Sequence, residues 1–98
     1  MIVIAETKGM IMGQSFHQNI EEIILYGSVV ENTLTFRSDI DIAIRFKTIN
    51  LREATLVRKH LLGKVNSLVD IQVYNVLPPS LKEEIRRKGK TLYHANKR

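Results

Sequence analysis

Two small groups of residues in this sequence have types and spacing suited to chemistry. Gly27 and Ser28 follow the apolar run IILY, and after ten intervening residues Asp39 and Asp41 stand inside the run SDIDIAIRF. Residues two apart on a strand leave the same face with Cα atoms about 6.6 Å apart, so both aspartates reach a common point. Like charges that close disfavour each other unless a proton or a cation intervenes. A hard divalent ion removes the conflict, and magnesium characteristically takes one or two protein carboxylates and completes its shell with water and phosphate oxygens. Asp70, in the run VDIQVYN, offers a third carboxylate. Three carboxylates allow two ions roughly 3.5 to 4 Å apart, which together stabilise the attacking and leaving oxygens of an in-line phosphoryl displacement. Gly27 lets a phosphate approach the backbone closely, and the Ser28 hydroxyl with the N–H groups of the next element can hold its oxygens. Ser28 binds rather than attacks, because no His lies nearby in sequence to act as its base.

These side chains converge only if particular elements carry them. Residues 23 to 26 read as a short buried strand that stops at Gly27, followed by a turn or short helix from 28 to about 33. SDIDIAIRF alternates, with Ile40, Ile42, Ile44 and Phe46 on one face and Asp39, Asp41, Ala43 and Arg45 on the other. Asn50 and Glu53 form a capping-box pair that opens a helix, with Leu51, Ala54, Leu61, Val65 and Leu68 as its apolar stripe. VDIQVYN alternates again, placing Val69, Ile71 and Val73 inward and Asp70, Gln72 and Tyr74 on the opposite face. Ser80 and Glu83 repeat the cap signal for a last helix, which Gly89 ends, and TLYHA adds a final short strand. Gly9 and Gly13 interrupt the pattern over the first 22 residues, where a helix is expected across roughly 14 to 22. Strands separated by helices predict an α/β (α+β) fold, a mixed sheet of three to four strands with helices packed mainly on one face. If the polar faces of the second and third strands lie side by side, Asp39, Asp41 and Asp70 form one acidic cluster.

Composition narrows the setting. A chain of 98 residues is expected to form a single domain, residues 1–98, and 44% hydrophobic with 26% charged residues is ordinary for a globular protein. No apolar run approaches the roughly 20 residues of a membrane span, and the start MIVIAETKGM does not read as a secretion signal. The absence of cysteine excludes disulfide and thiolate chemistry and suits a reducing cytoplasm. Residues 1–75 hold eight basic and eight acidic side chains, so the net charge of +5 comes wholly from residue 76 onward. Such a basic end attracts a nucleotide, a nucleic acid or an acidic partner. His17, His60 and His94 show no metal-ligand spacing.

The stretch from Leu25 to Ile44 resembles the signature of the minimal nucleotidyltransferases, the smallest members of the DNA polymerase beta-like superfamily: Gly-Ser, ten residues, Asp-x-Asp. The likeness extends over residues 23–94, with Asp70 in VDIQV at the family's third carboxylate and EEIRRKGKTLYH resembling its closing helix, glycine and strand. It implies a polymerase beta palm-like fold in which Asp39, Asp41 and Asp70 are the catalytic, metal-binding residues. Two Mg2+ ions would be held there, and Asp70 would also help deprotonate the acceptor hydroxyl. Gly27, Ser28 and Ser38 would grip the nucleoside triphosphate, ATP, and pyrophosphate would leave. Glu31 and Asn32 occupy places where the family commonly has Arg and Gly, and Arg45 shares the aspartate face. Minimal proteins of this kind are often antitoxins that transfer AMP to a tyrosine of a HEPN-domain toxin, which makes such a toxin the implied partner. An inactive module of the same fold that silences its toxin by contact is the alternative. A nucleic-acid binder driven by the basic end is a third reading, without an aromatic stacking array to accompany it.

Overall fold

The computed structural model describes residues 2–27 and 40–95. Among these, four strands form one mixed sheet: β1 (Ile20–Tyr26), β2 (Ile40–Phe46), β3 (Val69–Val73) and β4 (Lys90–His94), in the order β3-β2-β1-β4. β1 runs antiparallel to β2 and to β4, whereas β2 and β3 are parallel. A parallel pair needs a crossover, which α2 (Leu51–Leu62) supplies. Helices α1 (Ile2–Met12) and α3 (Pro79–Lys88) complete the mixed α/β arrangement. No helix among the described residues is long and apolar enough to cross a membrane.

The alternation read from the sequence sorts the sheet into two faces. Ile23, Leu25, Ile40, Ile42, Ile44, Phe46, Val69, Ile71 and Val73 join Ile11 of α1 and Ala54 and Leu61 of α2 in the main core. On the other face Ile24 and Ala43 receive Ile85 of α3. Two helices therefore cover one face and the third crosses the other. Ala43 is wholly buried, and its small side chain leaves room for Ile85. Gly89 ends α3 where a Cβ would come within 2.5 Å of both Ile24 Cγ2 and the Ile85 carbonyl oxygen, so the chain turns into β4 only without a side chain there.

Four local expectations change. The early helix spans Ile2–Met12, not 14 to 22. Thr7 and Ile11, four apart, are both buried, and the Thr7 hydroxyl donates to the Val3 carbonyl at 2.7 Å, while Gly9 faces open space and costs no packing. The expected helix instead gives way to a 3-10 turn (His17–Asn19), and β1 begins at Ile20 rather than residue 23. Its register against β2 shifts between Ile20 and Glu22, and this bulge puts Ile20 on the same face as Ile23 despite their odd spacing. On α2 the predicted capping box is present, but Leu51 is 68% and Leu68 48% exposed. Leu51 sits about 90° around the helix from the line through Ala54, Val57 and Leu61, and Leu68 lies beyond the helix end. Finally, α3 begins at Pro79 with Pro78 as its N-cap and no side-chain cap, not at Ser80. A proline at the first helical position has no N–H to satisfy and a preset φ, which starts the helix ahead of the serine.

The strand nature of residues 20–22 was hidden by two glutamates, and Glu22 is buried because distant residues answer its charge. Arg45 pairs with it across the β1–β2 ladder at 3.1 Å and Arg86 of α3 at 2.8 Å, while Thr91 adds a hydrogen bond at 3.3 Å. Arg86 also lies 5.0 Å from the Tyr74 ring centre and donates to its hydroxyl. Burial opposes ionisation of Glu22, but the hydrogen bonds and charges of Arg86 and Arg45 outweigh it and hold the carboxyl below its ordinary value of 4.5. The resulting stability is present above that value and is lost as pH falls through the lowered pKa. Glu22→Gln is therefore expected to cost about 2–3 kcal/mol in urea unfolding at pH 7, because two arginines lose their counter-charge. The variant should also show a smaller fall in stability than the parent chain as the pH drops below 4.5.

Candidate active site

Register brings the chemistry-bearing residues into one transverse row. Tyr26 on β1 pairs with Asp41 on β2, and Asp41 pairs with Asp70 on β3. Cross-strand partners share a face, so the two carboxylates stand side by side at the strand spacing of about 4.8 Å. Both residues are part-exposed, with the Asp70 side chain at 35%. Gly27 follows Tyr26 with φ of +82°, and a Cβ on it would run into the Asp41 carboxylate. The bare backbone of Gly27 is what lets the Asp41 carboxylate lie against it.

Asp70 is held on both oxygens. Arg58 Nη2 donates to Oδ1 at 3.2 Å and Gln72 Nε2 to Oδ2 at 3.1 Å, while Arg58 Nε donates to the Ile71 carbonyl oxygen at 2.6 Å. Burial, then the charges of Asp41 and Asp70, push the Tyr26 phenol up to about 12, with Arg58 acting in the opposite direction. Tyr26 therefore stays neutral beside the acids throughout the physiological range.

Asp41, Asp70 and Gly27 are thus brought together as the sequence predicts. Asp39, Ser28, Ser38, Glu31, Asn32 and the expected turn at 28–33 lie outside the described residues. No group of three His, Cys, Asp or Glu suited to a metal ion occurs among the described residues. The pair that is described consists of hard oxygen donors, part-exposed, whose chemistry fits magnesium better than a softer transition metal. Arg45, on the aspartate face by alternation, is committed to Glu22. It lies four residues along β2 from Asp41, about 13 Å away. Sequence reasoning missed Arg58, Gln72 and Tyr26. Strand parity puts Gln72 on the Asp70 face without giving it a role, Tyr26 comes beside Asp41 only through the β1–β2 register, and Arg58 shows only as a cation flanking the apolar line of α2.

A cavity of about 420 Å3 lies at the opposite end of β2, lined by Phe16, Phe46, Ile49 and Val57 with Asn19 and Glu53 at its polar rim. Asn19 uses its amide on the Thr48 backbone and Glu53 closes the capping box, so these polar groups serve the fold.

The family model for polymerase beta nucleotidyltransferases matches residues 12–98, and the chain belongs to that family. A Methanocaldococcus jannaschii chain named as a protein adenylyltransferase is 35% identical over 71 residues, covering 72% of this chain and 53% of the relative. This chain thus spans about half the length of that relative. A chain from the solved complex of a tri-AMPylated Shewanella oneidensis HEPN toxin with an MNT antitoxin superposes with a TM-score of 0.64 at 22% identity, covering 97% of this chain and 74% of its own. A chain from a toxin–antitoxin structure with AMP-PNP gives the same TM-score at 22% identity, covering 96% and 73%. At such identity these likenesses speak for the fold.

Gly27→Ala tests the close approach. Positive φ and the clash with Asp41 together are expected to lower stability by about 1–2 kcal/mol in urea unfolding and to shift the Asp41 side-chain carboxyl resonance in NMR spectra.

Proposed function

We propose that this chain is a magnesium-dependent nucleotidyltransferase that moves AMP from ATP to an acceptor hydroxyl, a tyrosine of a HEPN-domain toxin for which it is the antitoxin. The observation that carries this reading is the direct pairing of Asp41 with Asp70, with Gly27 bare against Asp41. Family membership supports the reaction class. The AMPylated HEPN toxin and the AMP-PNP in the structural relatives support AMP as the transferred group and a toxin as its acceptor. The cysteine-free composition fits a cytoplasmic setting for such a pair.

In this mechanism Asp39, Asp41 and Asp70 hold magnesium, which when bound supplies positive charge against the phosphate oxygens. Gly27 admits the triphosphate close to the backbone, and the Ser28 and Ser38 hydroxyls hold its oxygens. The acceptor oxygen attacks the α-phosphorus of ATP, the bond from that phosphorus to the bridging β-oxygen breaks, and pyrophosphate departs. Asp70 takes the hydroxyl proton. Its orientation for that task comes from Gln72 and Arg58.

Incubation of the chain with its toxin, Mg2+ and ATP labelled at the α-phosphate should place label on the toxin. Asp41→Asn is expected to slow labelling by roughly 100-fold or more, the scale on which losing one electrostatic stabiliser of a transition state is felt. Toxin silencing with no label, unaffected by Asp41→Asn, would replace transfer with inhibition by contact.

A further inference from the structure

Besides orienting Asp70, Arg58 brings a positive charge to that carboxylate around the outer edge of the sheet. β3 is an edge strand, and α2 packs against it. From the flank of α2 the guanidinium bonds twice to β3, through Nε to the Ile71 carbonyl oxygen at 2.6 Å and through Nη2 to Asp70 Oδ1 at 3.2 Å. The first bond holds the cation beside Asp70 even when the second opens. Asp70 therefore has a resident positive charge beside the carboxylate that a metal shared with Asp41 would also seek.

We infer that Arg58 is a positioning residue that stands in for a divalent cation at Asp70, so that the site takes metal weakly on its own and tightly only with a nucleotide. The inference rests on the metal site proposed above. A divalent ion entering between Asp41 and Asp70 either displaces the guanidinium from Oδ1 or lies close to it, and both alternatives oppose binding. Triphosphate oxygens reverse the balance, because they bring negative charge and further ligands at once. The same guanidinium relieves the Asp41–Asp70 repulsion between turnovers. A purely structural α2–β3 tie would behave differently: its loss would lower stability without tightening metal binding.

The test uses Mn2+ alone, titrated without nucleotide into the full chain and followed by electron paramagnetic resonance of the free ion. Arg58→Gln is expected to bind Mn2+ about five-fold or more tightly than the parent, as removal of a neighbouring cation requires. Arg58→Lys, which keeps the charge, should stay within about two-fold. Unchanged or weaker binding by Arg58→Gln overturns the role of Arg58 while leaving the metal site in place. No Mn2+ binding by either protein overturns both. A second measurement needs no variant: the Arg58 Nε–H resonance of the parent chain should move as Mg2+ is added with an ATP analogue, and a resonance unmoved at saturation also overturns the inference.

Discussion

The parallel register of β2 and β3 forces two carboxylates into neighbouring places, and most of what surrounds them answers that constraint. The register cannot slip by one residue, because Ile40, Ile42, Val69 and Ile71 on the reverse face are buried in the main core. Hydrophobic burial on one side of the sheet thus imposes electrostatic repulsion on the other. Arg58 supplies counter-charge, Gln72 an oriented amide, and Tyr26 a phenol that stays neutral. Gly27 lets the Asp41 carboxylate lie against the backbone, where any side chain would press on it.

The chemical face changes character along its strands. One end carries the row Tyr26, Asp41 and Asp70; the middle carries Ile24 and Ala43 under Ile85; the far end carries Glu22 between Arg45 and Arg86. Helix α3 is anchored over the middle and far rows, by apolar contact and by the Arg86–Glu22 pair. Part of the basic character of the last quarter of the chain is accordingly structural: Arg86 is bound to Glu22 and Tyr74, and Lys82 lies 5.7 Å from the Tyr74 ring centre. Asp41 and Asp70 remain part-exposed while Glu22, enclosed by its two arginines, is 4% exposed. Solvent access thus differs sharply between carboxylates on a single face.

The first 22 residues resisted reading for a related reason. Glu21 and Glu22 look like the exposed face of a helix until partners more than 20 and 60 residues away are in place, as Arg45 and Arg86 are for Glu22. The bulge at the start of β1 breaks the simple two-residue period there as well. In α1 a β-branched segment interrupted by Gly9 is helical because Thr7 and Ile11 dock on the core, so packing outweighs local propensity.

Local pattern alone determined the β2 and β3 faces, the capping box of α2 and the glycine stop after α3, whereas the pairing of Asp41 with Asp70 needed the β2–β3 register as well. Each of the local features depends on a period, a cap or a backbone need that a few adjacent residues express. Tertiary structure decided which glutamate could be buried, that Arg45 serves Glu22 rather than the acids, and that Arg58 reaches Asp70. Those outcomes depend on charges meeting across strands and helices, and electrostatic pairing at long sequence separation has no period to read.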